Sequence, residues 1–176
     1  MTLRPRDPLL LAARLLVNLG MGLTALVGFA TLCAAPAMVI FRSDVLGGLT
    51  DEAGHAVPAI TIGALAAILL LVAAMAACAF YFLRDLKRII DSVGHGDPFV
   101  PANAVRLARM GWLTIAIELL AIPVGGVGEW MAQTIKGATS DFGIDASGIL
   151  LALILFILAR VFREGARMRE DLEGTV

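Results

Sequence analysis

Charged residues are scarce in this chain of 176 residues. They make up 16% of the sequence, whereas hydrophobic residues make up 59%. An ordinary soluble domain carries roughly 25% charged residues. The net charge is -1, so the total charge gives no indication of nucleic-acid binding. The composition therefore predicts a protein that is embedded in lipid.

Residues that build metal, redox or catalytic sites are also few. The two cysteines, Cys33 and Cys78, lie in apolar blocks, where an unpaired thiol behaves as a small hydrophobe. The two histidines, His55 and His95, lie far apart in the sequence, on opposite sides of the predicted membrane, so they cannot share a metal ion. The sequence contains no nucleotide-binding loop, catalytic triad or metal-ligand spacing. We therefore expect a protein that is not an enzyme and needs no cofactor or metal.

The apolar residues are concentrated in four long blocks. They cover about residues 11–41, 58–83, 110–130 and 146–162, and a membrane-spanning helix needs about 20 apolar residues. The first block could also belong to a cleaved signal peptide, but it is far longer than the roughly 7 to 15 apolar residues of such a peptide. We predict an all-α integral membrane protein, in which residues 1–176 form a single domain with a bundle of four transmembrane helices.

Lysine and arginine are unevenly distributed between the connections. Three lie before the first block or near its start, one lies between the first and second blocks, five between the second and third, one between the third and fourth, and four near the end of the fourth block or after it. Since short loops rich in Lys and Arg stay in the cytoplasm, both termini and the 84–109 segment are predicted to be cytoplasmic.

Each of the two inner segments is predicted to carry a short helical extension. Residues 84–109 are predicted to form a helix, a turn rich in Gly and Pro, and a second helix capped by Asn103. Asp85 and Arg88 have the spacing of an ion pair on the first of these helices. Residues 163–176 are predicted to form a tail that continues the fourth span.

The third block contains the candidates for an intramembrane polar site. Glu118 is the only ionisable residue well inside a predicted span, and a charge there costs about 2.5 to 3.5 kcal/mol. It is therefore expected to be neutral, paired or facing water, either in a proton or solute pathway or as a packing residue. Pro123 and the glycines that follow it either break the helix, as in transporters, or allow close packing. Glu129 lies at the outer edge of the span beside Trp130, an interfacial anchor.

Two stretches of the sequence resemble a known family. They are DLKRIIDSVGHGDPFVPANAVRLARMGW, residues 85–112, and the ending LARVFREGARMREDLEGTV. Both are similar to bacterial membrane proteins grouped as domain of unknown function family 2975 (DUF2975), and the resemblance extends from about the second span to the last residue. It implies four spans in the bacterial inner membrane and no established catalytic residues. Ala102 and Arg160 depart from the family pattern, in which an acidic residue is usual at the first position and common at the second.

Many members of this family are encoded beside a very small helix-turn-helix DNA-binding protein, so the resemblance implies a regulatory pair. This chain would hold or release the regulator through its cytoplasmic loop and tail, and would not itself contact nucleic acid. The matching residues are Asp97, Pro98, Phe99, Asn103, Phe162, Arg163, Gly165, Glu170, Asp171, Thr175 and Val176.

Our leading hypothesis is therefore a non-enzymatic membrane regulator or interaction protein that binds a small soluble partner. The first alternative is a small-solute or proton pathway centred on Glu118. The second is an accessory subunit of a larger membrane complex. Small residues along the first two spans, such as Gly20, Gly28 and Gly63, favour a tightly packed bundle. They are also compatible with a homo-oligomer.

Overall fold

The computed structural model describes residues 8–54, 56–94, 98–134 and 146–173, which form five α-helices and no β-strand. The helices are α1 (Pro8–Ile40), α2 (Arg42–Ala53), α3 (Ile60–Gly94), α4 (Pro101–Thr134) and α5 (Ala146–Glu173). Four of them, α1, α3, α4 and α5, are long and apolar enough to cross a membrane. The predicted all-α protein with four spanning helices is confirmed.

Both predicted helical extensions are present. α3 continues beyond the second apolar block to Gly94, and α5 continues beyond the fourth block to Glu173. α4 begins at Pro101, two residues before Asn103, because proline is favoured at the first position of a helix, where its missing N–H costs no hydrogen bond. Asn103 therefore lies inside the first turn of α4 and is not the cap that the sequence predicted.

The helix α2, in the connection between the first two spans, was not predicted. It ends at Gly54, which has a left-handed backbone with φ 67° and donates its N–H to the Thr50 carbonyl at 3.0 Å. Only glycine adopts this conformation without strain, so Gly54 was the available signal for the end of this helix. The helix was not predicted because the segment is polar and lies between two apolar blocks.

Pro123 does not break the third span. α4 is helical on both sides of it, over 34 residues. A proline removes one backbone hydrogen bond from a helix, and spanning helices tolerate this loss where neighbouring groups compensate for it. Of the two interpretations of Pro123 and the glycines after it, a broken helix or close packing, the structure contradicts the broken helix.

The chain divides into two compact units, each of which contains segments of several helices. The first comprises residues 1–24, 78–115 and 146–176, and the second comprises residues 25–77 and 116–145. In the first unit, Leu107, Met110, Leu155 and Ala159 form a buried cluster between α4 and α5. In the second, α1 and α3 approach closely at Gly28, where an added Cβ would lie 3.4 Å from the Ala76 Cβ.

Many large apolar side chains point outward. Leu19, Leu26 and Leu153 are all more than half exposed, in helices of spanning length. Such exposure is ordinary for a helix in a bilayer, since the surrounding lipid is itself apolar.

Candidate functional site

Residues from the two stretches of family resemblance meet in the first unit. Phe99, in the connection from α3 to α4, packs on Phe162 of α5 with 5.2 Å between the ring centroids. Its ring also lies over Gly165, where an added Cβ would come within 2.8 Å of Phe99 Cδ1. We refer to Pro98, Phe99, Asn103, Phe162 and Gly165 as the loop–tail site. These segments are about sixty residues apart in the sequence, so the site exists only in the folded chain.

Asn103, whose side chain is fully buried, holds the described part of the connection, residues 98–100. Its Nδ2 donates to Ser92 Oγ at 2.6 Å and to the Pro98 carbonyl at 2.8 Å. Its Oδ1 accepts a hydrogen bond of 2.8 Å from Arg106 Nη1. One side chain thus joins the end of α3, the connection and the first turns of α4. Asn103 faces inward and fixes the position of Phe99.

A buried carboxylate links α3 to α4 in the same unit. Asp85 on α3 is 2% exposed, and its Oδ2 lies 3.4 Å from Nη1 of Arg109 on α4. Its Oδ1 lies 3.9 Å from Arg88, as the spacing in the sequence predicted. A buried charge needs a partner, and here Arg109 supplies it from another helix. Nothing in the sequence pattern indicated this longer-range pair.

A second ion pair attaches α1 to the end of α3. Arg14 Nε lies 2.9 Å from Asp91 Oδ1, and an added Cβ at Gly94 would lie 3.0 Å from Arg14 Nη2. The guanidinium therefore lies over the last turn of α3, where the carbonyl end of the helix dipole attracts cations. No pattern in the sequence indicated this contact either, since the two residues are 77 positions apart.

Charged side chains surround the loop–tail site on α5. Arg163, Glu164, Arg167, Glu170 and Asp171 are all exposed. Arg167 Nη1 lies 3.8 Å from Glu164 Oε2, and an ion pair of this kind on the surface contributes little stability. Phe99 remains 42% exposed despite its contacts with α5. The end of the unit thus presents a partly exposed aromatic ring, in a fixed position, beside charges of both signs.

Three predicted residues lie outside the described part of the chain. They are Asp97, Thr175 and Val176.

The candidates for an intramembrane polar site all lie on α4, in the second unit, and do not form a cluster. Glu118 is half-buried, and it makes no hydrogen bond or ion pair within the described residues. Glu129 lies eleven residues further along the helix, about 16 Å at the usual helical rise. Pro123 is exposed between them. No group of three or more metal-ligating side chains occurs among the residues that the structure describes.

Comparison with known protein families gives a match over most of the chain. The sequence profile of a family described as protein of unknown function, DUF2975, matches residues 47–176, which include the whole loop–tail site. No curated protein and no solved structure matches the chain.

Proposed function

The chain belongs to the DUF2975 family, and we propose that it is a non-enzymatic regulator of the bacterial cytoplasmic membrane. It binds a small soluble partner through the loop–tail site and the charged end of α5. Both termini and this site face the cytoplasm, as the distribution of Lys and Arg predicts. The partner that the family resemblance suggests is a small helix-turn-helix transcription regulator.

One observation carries the proposal: the packing of Phe99 over Gly165, beside exposed charges on α5. In the proposed topology this part of the molecule lies in water, where no lipid covers an exposed aromatic ring. Partly exposed aromatic residues surrounded by polar and charged side chains are typical of protein interfaces. The buried hydrogen bonds of Asn103 keep the ring in one place, which lowers the entropy cost of binding.

The test is co-purification of the full chain from its native host in nanodiscs, with variants that exchange charge without changing net charge. The double variant Arg163→Glu, Glu170→Lys alters two exposed side chains on α5. The matched control is Arg42→Glu, Asp51→Lys, which alters two exposed side chains on α2. We expect a small DNA-binding protein to co-elute with the wild type and the control, and to be lost from the α5 variant.

Two results would contradict the proposal. Equal retention of the partner by the α5 variant would show that this surface does not bind it. Large membrane subunits in place of a small soluble protein would favour the accessory-subunit alternative.

Glu118 supports a second candidate function, a proton or small-solute pathway. It is a half-buried acid in a helix of spanning length and has no polar partner among the described residues. Intramembrane acids of this kind mark proton and ion pathways. The test is to measure the flux of protons or small solutes across the membrane of proteoliposomes that contain the protein. The Glu118→Gln variant is compared with Glu129→Gln on the same helix. Flux that only Glu118→Gln abolishes would support the pathway, and absence of flux through the wild type would exclude it.

A further inference from the structure

An apolar groove of about 330 Å³ lies between the first turns of α3 and the last turns of α4. All of its lining residues belong to the second unit. They are Ile60, Gly63, Ala64, Gly126, Val127 and Trp130. The indole N–H of Trp130 is the only polar group among these side chains.

Packing among the described residues does not require the two glycines of the groove. An added Cβ at Gly63 or at Gly126 would meet no atom of the described residues within 4 Å. The contrast is Gly111, where an added Cβ would lie 2.9 Å from the Phe156 ring. Gly63 and Gly126 therefore leave open space along the surface of α3 and α4, which gives the groove its depth.

We propose that this groove binds the acyl chain of a membrane lipid, near the headgroup. Both helices are long and apolar enough to cross the membrane, so the medium outside the groove is hydrocarbon. Water does not stably occupy an apolar cavity. Trp130 lies at one end of the groove, and tryptophan side chains prefer the level of the headgroups. The groove therefore lies at the depth where an acyl chain begins.

The size of the groove also favours an acyl chain over a helix from a second copy of the protein. An α-helix is about 10 Å across with its side chains, whereas the depth of the groove comes from the absent side chains of Gly63 and Gly126. An extended hydrocarbon chain is far narrower, and it could lie along the two glycines.

The proposal is tested by quenching of Trp130 fluorescence. Trp112→Phe leaves Trp130 as the only tryptophan of the full-length chain. In detergent, the protein is titrated with phosphatidylglycerol whose acyl chains are brominated either close to the headgroup or near the terminal methyl. We expect quenching that saturates at a single lipid per chain and is stronger with bromine close to the headgroup.

Gly126→Leu fills the groove, and Gly22→Leu is the matched control. Gly22 is exposed on α1, and an added Cβ there also meets nothing within 4 Å in the described part of the chain. Gly126→Leu should bind the lipid about tenfold more weakly, since it excludes roughly two methylene groups from the groove. The control should bind normally. Gly126→Ala, whose Cβ has room, should retain the fold and give an intermediate loss.

Three results would overturn the proposal. Quenching that rises linearly with lipid would show no discrete site. Equal binding by Gly126→Leu and Gly22→Leu would place the lipid elsewhere. A wild-type dimer that Gly126→Leu converts to a monomer by light scattering, without saturable quenching, would assign the groove to a second copy of the chain.

Discussion

Asn103 shows how a single polar side chain can fix the shape of a connection between two helices. It is fully buried, and both ends of its amide are hydrogen-bonded. Buried polar groups are costly when a partner is removed, because the remaining groups have already lost their contacts with water. The side chain is therefore better explained by the position it gives to Phe99 than by direct contact with a partner.

Replacement of Asn103 should accordingly destabilise the protein. We expect Asn103→Ala to lower the free energy of unfolding by about 1 to 3 kcal/mol, since the Pro98 carbonyl and Ser92 lose a donor. Asn103→Asp should be at least as harmful, because it places a carboxylate oxygen where the amide donated. Denaturant titration in mixed micelles measures both, with exposed Ala102→Ser as the control. An Asn103→Asp variant with an unchanged free energy of unfolding would contradict the hydrogen-bond assignment.

Gly165 has a different role, which is to leave room for the Phe99 ring. Gly165→Leu should displace that ring and destabilise the protein by about 1 to 3 kcal/mol, the usual cost of overpacking. Gly22→Leu should not be destabilising, because no described residue lies within 4 Å of its added Cβ.

The same unfolding measurement on the double variant Gly165→Leu, Phe99→Ala identifies the cause. Removal of the ring should recover part of the lost stability, because the two effects share one contact. Strict additivity of the two substitutions would show that Phe99 does not pack there.

Among the four helices of spanning length, α1 is the least buried: 6% of its spanning window is buried, compared with 17 to 22% for the other three. Its polar attachment to α3 at the end of the first unit is the pair of Arg14 and Asp91. Both side chains are about two-fifths exposed, so solvent weakens their attraction. The pair thus orients α1 more than it stabilises the fold.

A charge exchange tests this pair. Arg14→Asp alone should lower the free energy of unfolding by no more than about 1 kcal/mol, and the combined Arg14→Asp, Asp91→Arg variant should recover part of that loss. The effect should shrink as salt is raised, since exposed charges are screened. Thermal unfolding at low and high ionic strength measures the loss, its recovery and its dependence on salt. A loss that the exchange does not recover would mean that Arg14 acts chiefly through the α3 carbonyls near Gly94.

At the scale of the whole molecule, the proposed function depends on the side of the membrane that each connection faces. The distribution of Lys and Arg predicts that α2 lies outside and the end of α5 inside. Orientation can be measured by cysteine labelling in a chain whose native Cys33 and Cys78 are replaced by serine.

In that background, a membrane-impermeant maleimide added to intact cells should label the Gly48→Cys variant and leave the Glu170→Cys variant unlabelled. Both positions are exposed, so burial does not limit the reaction. Disruption of the membrane should allow the reagent to reach both. The reverse pattern would place the loop–tail site outside the cell and exclude a cytoplasmic partner.

The sequence by itself determined the number and approximate position of the four spanning helices and their extension beyond the apolar blocks. The bilayer imposes this outcome, because a spanning segment needs about 20 apolar residues and must satisfy its backbone hydrogen bonds internally. Residue patterns also identified the family and the residues of the loop–tail site. All of these are local properties of the chain.

Only the tertiary structure decided which of those residues face inward. Asn103 and Gly165 serve the packing of Phe99, whereas Arg163 and Glu170 remain exposed. It also decided that α4 continues through Pro123 and that Asp85 is paired with Arg109. These outcomes depend on contacts between segments far apart in the sequence. No periodicity or spacing along a chain encodes which distant side chains will share the same space.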